Sequence, residues 1–314
     1  MANPPEIVAI VPCYNEEAAV ATVVQDLKRA VPGITVYVYD NNSTDRTSEV
    51  AAEAGAIVRI ERRKGKGNVV RRAFADIDAD IYLLIDGDDT YDAAAAPAMI
   101  AALQAGPLDH VLGTRSQTTA QSAYRPGHET GNRMFNRLVG FLFGEPVTDM
   151  LSGYRVFSRR FVKSFPALSR EFEIETELTV HTMNLRVPQV EVPVGFKDRP
   201  AGSESKLRTY HDGFRILRLI GQLMQHERPV VFYNIISAFF ALIGLIFGIP
   251  VVWQFYRTGL VPRLPTALLA SSLILIAILS LMVGIILNGV LRARQEAARL
   301  EYLRWAPPEW VDPR

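Results

Sequence analysis

The chain has 314 residues, 49% of them hydrophobic and 21% charged; that excludes a disordered chain and leaves room for about two domains. Basic residues number 34 and acidic ones 33, a net charge of +1, which argues against a dedicated nucleic-acid binder with its net basic field. The one cysteine, Cys13, rules out an intrachain disulfide framework and fits a reducing compartment, and the opening MANPPEIVAI carries no secretory signal pattern.

Residues 1–206 alternate strand and helix signals. EIVAIVP is a short apolar run, followed by a helical stretch from Glu16 to about Ala30. ITVYVYD is the next strand, then a helix near 45–54, the strand AIVRI, a helix over 66–78, and the strand IYLLID. AAAAPA at 93–98 starts a further helix. This βαβα order with short apolar strands predicts an α/β domain with a mostly parallel, helix-covered sheet. Residues 207–228 pattern as an amphipathic helix: Phe214, Leu217, Ile220, Leu223 and Met224 recur at helical spacing, with Arg215, Arg218, Gln222 and Gln225 between them. It would lie in the headgroup layer or pack on the soluble domain.

Two apolar segments follow, 229–256 and 264–291, with no charge in either. Each exceeds the roughly 20 residues that span a bilayer core in a helix. Tyr233 lies near one end of the first, Trp253, Phe255 and Tyr256 near the other, as interfacial belts require. Pro250 would bend that span. The link RTGLVPR (257–263) is so short that the spans must form a hairpin. Lys206, Arg208, Arg215, Arg218 and Arg228 precede it; Arg292, Arg294, Arg299 and Arg304 follow it; the link holds only Arg257 and Arg263. That bias predicts an integral protein of the cytoplasmic membrane with both termini inside and 292–314 as a cytoplasmic tail.

In parallel sheets ligands bind beyond the carboxyl ends of the strands. The first strand ends in PCYNEE (Pro12 to Glu17), the second in DNNSTD (Asp40 to Asp45), the fourth in DGDDTYD (Asp86 to Asp92). Such residues ordinarily form turns and helix caps, and Ser43 or Thr44 would cap the next helix. Three acid-rich clusters on one edge favour a site. No G-x-G-x-x-G or P-loop occurs, and Tyr91 stands where an EF-hand loop needs glycine. Asp86 and Asp88, two apart in extended chain, face one way. Their hard oxygens suit Mg2+ or Mn2+ with positions left for a diphosphate.

IVPCYNEE, DNNSTD, GKGNVVRRAF, DGDDTYD, GTRS, TDMLSGYRVF and FEIETEL, in this order, resemble family 2 glycosyltransferases of the GT-A fold, and among them the polyprenyl-phosphate glycosyltransferases similar to dolichol-phosphate mannose synthase. The resemblance covers about residues 6–207. It implies that Pro12, Tyr14 and Glu16 line the nucleotide pocket, that Asp40 reaches the base with Asn42 beside it, and that Lys66 lies near the nucleotide. Asp86 and Asp88 match the DxD motif. Where the mannose synthases carry a Gln as third ligand this chain has Thr90, and Asp89 is the substitute. Arg115 matches an arginine on the acceptor phosphate, and Arg125, His128 and Arg133 would meet the same lipid phosphate or be solvated helix charges. Lys206 would close over the diphosphate. Asp149 would position the acceptor or serve structure.

The expected reaction is inverting transfer of a sugar from a UDP- or GDP-linked donor to a polyprenyl phosphate. A phosphate monoester is largely dianionic at neutral pH, its second pKa being about 6, so it needs positioning more than a general base. Glu177 matches a family glutamate, but helix-start acids that complement the dipole explain it more cheaply. Cys13 reads as a small packing residue. A transferase acting on a sugar hydroxyl of a glycolipid or polysaccharide is one alternative, and an inactive membrane subunit another. The resemblance also allows a homo-oligomer.

Overall fold

The structure is a computed structural model and describes residues 4–117, 148–167, 173–197, 221 and 224–308. The expected interface helix 207–228 falls largely outside them. Two compact units emerge, Met1–Leu207 with Ala297–Arg314, and Arg208–Glu296.

In the first unit the elements run β1 (Ile7–Cys13), α1 (Val20–Ala30), β2 (Thr35–Asp40), α2 (Thr47–Glu53), β3 (Ile57–Ile60), α3 (Lys66–Asp76), β4 (Ile81–Leu84), α4 (Ala96–Gln104), β5 (His110–Gln117), β6 (Arg155–Ser158), α5 (Arg159–Ser164), α6 (Glu173–Leu185) and β7 (Gln189–Phe196). The sheet order is β3-β2-β1-β4-β6-β5-β7. β6 alone runs antiparallel to its neighbours β4 and β5; the other pairings are parallel. Val, Ile and Leu dominate β1 and β4 because both faces of these central strands are covered. Val8 and Ile10 pack on one face with Tyr82 and Leu84, while Ala9 and Val11 pack on the other with Val23, Val24 and Leu27 of α1.

α1 starts later than its sequence pattern, at Val20, because Glu16 to Ala19 forms a turn whose Glu16 carbonyl accepts from the Ala19 and Val20 amides (3.0 and 2.9 Å). Neither Ser43 nor Thr44 caps α2. The N-cap position is Arg46, with no side-chain cap; Asp45 accepts from the Thr47 amide (3.1 Å), and Ser43 Oγ accepts from the Asn15 amide (3.0 Å).

The second unit holds α7 (Pro229–Thr258), and most of α8 (Leu264–Leu303) lies there too. Both are long and apolar enough to cross a membrane. Gly259 takes φ +68° and accepts no side-chain penalty as the left-handed cap of α7. Close approach of the two helices uses small residues: a Cβ on Gly244 would sit 2.9 Å from Ile274 Cδ1, and one on Gly284 2.9 Å from Tyr233 Cβ. Ser237 Oγ donates to the Ala277 carbonyl (2.8 Å).

α8 continues to Leu303, and its end belongs to the first unit. Tyr302 is buried there against the β6–α5 face, and its hydroxyl donates to the fully buried Asp109 (2.8 Å). An aromatic with one polar tip satisfies both the core and a buried carboxylate.

Candidate active site

Because β1, β2, β4 and β5 point one way, their carboxyl ends share one edge of the sheet. β6 runs oppositely, so the turn before it (149–154) comes to that edge as well. The site is built there.

Asp86 follows β4. Its carboxylate receives the Lys66 ammonium and lies against Gly153, where a Cβ would come within 2.5 Å of Asp86 Oδ2. Asp88 is buried, and its Oδ1 accepts from the Thr90 hydroxyl (2.7 Å) and amide (3.2 Å). Thr90 therefore orients Asp88. Asp89, expected as a further metal ligand, takes φ +56° and pairs with Lys197 (2.8 Å). Among the described residues no three His, Cys, Asp or Glu gather as a metal cluster. Gly87 backs onto β1, where any Cβ would overlap Cys13. Cys13 is a buried member of the core, and burial pushes its thiol well above the usual range.

Asp40 is buried at the end of β2; Oδ1 accepts from the Ser43 amide (2.8 Å) and Oδ2 from the Ser48 hydroxyl. Its neighbour Asn41 binds the following loop. Asn41 Nδ2 donates to the carbonyls of Glu61 and Arg63 (both 2.8 Å), and Oδ1 accepts from the Gly65 amide (2.6 Å). Asn42, at φ +67°, donates to the Arg62 carbonyl (2.9 Å). Pro12 pairs with Tyr39 in the ladder, Lys64 lies 4.9 Å from the centre of the Tyr14 ring, and the Glu16 amide donates to Thr47 Oγ1 (2.9 Å).

Lys66 opens α3 and bridges Asp86 and Glu175 of α6, the latter at 2.5 Å. Burial alone would lower this ammonium, but the two carboxylates outweigh it and hold it well above the usual lysine range. Glu175 is buried and its carboxyl is raised, mainly by that burial.

Arg115 lies on β5. Its Nε and Nη2 donate to Asp149 Oδ2 (2.7 Å) and Oδ1 (2.6 Å), and the guanidinium stacks over Phe196 at 5.5 Å. The turn from Asp149 to Arg155 is itself braced. Arg155 is fully buried and donates to the Ser152 and Met150 carbonyls (2.9 and 2.8 Å) and to Thr179 Oγ1 (2.9 Å). Burial lowers this guanidinium to about 10. Gly153 N donates to the Tyr91 hydroxyl (3.0 Å).

Two carboxylates at strand ends, an arginine held bidentately and a buried lysine bridge thus line one edge. Residues 8–165 match the Glycosyl transferase family 2 pattern. The chain belongs to this family.

As a family 2 glycosyltransferase it is similar to several curated relatives. Glycosyltransferase AglJ of Haloferax volcanii is 32% identical over 305 residues, spanning 96% of this chain and 100% of that one. A dolichyl-phosphate hexose transferase of the same organism is 29% identical over 223 residues, 71% of this chain and 96% of that one. Glucosyl-3-phosphoglycerate synthase of Mycobacterium tuberculosis, solved with Mn2+, UDP and phosphoglyceric acid, superposes with a TM-score of 0.58 at 23% identity, over 70% of this chain and 78% of that one. This last likeness shows the shared fold.

Of the residues expected from sequence, the structure brings Lys66, Asp86 and Asp88 to one strand edge, with Asp40 and Arg115 at the ends of neighbouring strands. Arg125, His128, Arg133 and Lys206 lie outside the described residues. Asn41 and Arg155 are the residues that sequence reasoning passed over, and Glu175 is one it left without a role. Each sat inside a quoted motif, FEIETEL, DNNSTD or SGYR. Glu175, rather than Glu177, meets the lysine.

Proposed function

We propose that this glycosyltransferase moves a hexose from a nucleoside diphosphate to a polyprenyl phosphate at the cytoplasmic leaflet, with inversion at the anomeric carbon. The two apolar helices carried by the same chain as the family 2 domain support a lipid acceptor. The dolichyl-phosphate hexose transferase relative supports the same class.

The edge fits a hard divalent ion, Mg2+ or Mn2+. Asp86 and Asp88 supply paired carboxylates, and the missing Cβ at Gly153 lets the Asp86 carboxylate sit against the turn before β6. When bound, such an ion would stabilise the departing diphosphate. The chain's own residues do the rest. Thr90 holds Asp88, and Lys66 offers positive charge beside the diphosphate. Asp149 sets the plane of the Arg115 guanidinium, whose fork matches a phosphate. The acceptor is already an anion, so no general base is required. Pro12, Tyr14, Glu16, Asp40 and Asn42 line the nucleoside side, and Arg125, His128, Arg133 and Lys206 complete the phosphate contacts.

The test uses detergent-purified protein with undecaprenyl phosphate, Mg2+ or Mn2+ and a panel of labelled UDP- and GDP-sugars. Label from one donor should enter the organic phase and disappear with EDTA and in Asp88→Ala. Donor turnover that needs a sugar or glycolipid hydroxyl acceptor instead would overturn the lipid-phosphate reading.

A further inference from the structure

Lys66 does not lie open to solvent beside the site. Its side chain is only 9% exposed, and its ammonium donates both to Asp86 and to Glu175 Oε1. One carboxylate that fits the metal therefore already carries a cation. The position of that cation is set from behind. Asn41 ties Gly65 and the carbonyls of Glu61 and Arg63, so the start of α3 is pinned to the end of β2. Glu175 is 4% exposed, and its second oxygen, Oε2, is buried without a hydrogen-bond partner. An ammonium has three N–H donors, and two are used here.

We propose that Lys66 is a resident counter-ion of Asp86 that competes with the divalent ion, so that metal binds poorly alone and well only together with a nucleoside diphosphate. This rests on the metal–diphosphate reading above and adds an order of binding to it. A monovalent and a divalent cation on one carboxylate repel strongly in a partly buried site. Without a diphosphate, the ion must displace Lys66, whose other carboxylate partner among the described residues is Glu175. With a diphosphate, phosphate oxygens replace Asp86 as the partner of the ammonium, and Asp86 is released. Glu175 retains the ammonium during this exchange. Its unpartnered Oε2 gives Nζ a second acceptor as it shifts, so the lysine need not cross to solvent. The same bridge keeps Asp86 and Glu175 from repelling each other when no metal is present.

The experiment titrates Mn2+ into the full-length protein in detergent at pH 8 and follows free Mn2+ by electron paramagnetic resonance, without nucleotide and with UDP or GDP. Wild type should bind Mn2+ weakly alone and gain affinity when the matching diphosphate is added. Lys66→Met should bind Mn2+ alone at least about tenfold more tightly than wild type, a coupling of ordinary size. The gain on adding nucleotide should shrink accordingly, and Lys66→Arg should remain weak. The double variant Lys66→Met/Glu175→Gln removes a charge of each sign and so leaves no unpaired buried carboxylate at Glu175. It should also bind Mn2+ more tightly than wild type, which keeps the test alive if the single variant misfolds. Equal Mn2+ affinity in wild type, Lys66→Met and the double variant overturns the counter-ion role while leaving the metal site standing. No Mn2+ binding by wild type, with or without UDP or GDP, overturns both. Loss of binding in Asp88→Ala identifies the ion measured as the one at this site.

Discussion

Asp149 accepts from the Nε–Nη2 edge of Arg115, at 2.7 and 2.6 Å, and also from the Arg115 amide (3.2 Å). A guanidinium held this way cannot rotate freely, so if Arg115 meets the acceptor phosphate as proposed, its plane is set before the acceptor arrives. Asp149→Asn keeps the shape and removes the charge. It should lower acceptor kcat/KM on the order of 10²-fold, the usual result of misplacing a positioning group, while the donor KM changes little. A donor KM that rises in parallel would mean that Asp149 supports the whole pocket rather than Arg115. Thr90 stands in the same relation to Asp88. Its hydroxyl, two residues on, donates to Asp88 Oδ1 (2.7 Å).

The end of α8 is tied to the catalytic unit by one buried carboxylate. Asp109 is fully buried and accepts from Arg160 Nε (2.6 Å) and Nη2 (2.7 Å), from Ser158 Oγ (2.6 Å) and from the Tyr302 hydroxyl (2.8 Å). The Arg160 and Arg299 guanidiniums stack on the Tyr302 ring at 4.6 and 4.9 Å. Tyr302→Phe removes one donor from a charged acceptor that keeps its other three. It should cost about 1.5–3 kcal/mol and lower the apparent Tm by several degrees, read by thermal denaturation in detergent. Two histidines lie nearby in an aromatic cluster. His110 on β5 stacks on Phe157 (5.0 Å), and His181 on α6 meets Phe161 and Phe165 edge-on (both 5.2 Å). Burial holds both neutral: His181 falls to about 4, and His110 lies well below its usual value, with Arg155 adding to the effect. The unfolded chain takes up these protons near pH 6.5, whereas the folded one resists. Stability is therefore lost as pH falls from about 6.5 and stops falling on account of His181 near pH 4. His181→Asn should flatten that part of the Tm–pH profile, and an unchanged slope would refute the account.

The chain as a whole combines a family 2 catalytic unit with a hairpin that satisfies its own backbone in two helices. The short connection from Gly259 to Arg263 leaves α7 and α8 antiparallel neighbours. Its two flanking arginines, Arg257 and Arg263, are fewer than the basic residues at the other ends of the spans, so the connection should face away from the cytoplasm. Cys13, the native cysteine, is buried. Leu260→Cys should therefore react with a membrane-impermeant maleimide on intact cells, and wild type should not. Labelling only after lysis would reverse the orientation.

Much of this was readable along the chain because it depends on near neighbours. Runs of Val, Ile and Leu make strands, and β1, β2, β3 and β4 formed where such runs lay. Their acid-rich ends met because parallel strands present the same edge. Uncharged stretches longer than a bilayer core marked the hairpin. What the tertiary structure alone decided are pairings across long separations. β6 inserts between β4 and β5 against the order of the chain, and only that carries Gly153 to Asp86. Lys66 meets Glu175 across 109 positions, and Tyr302 meets Asp109 across 193. FEIETEL holds three glutamates that local pattern treats almost alike. Which one is buried against a lysine follows from how α6 packs on α3, and side-chain packing between distant elements leaves no periodicity in the sequence.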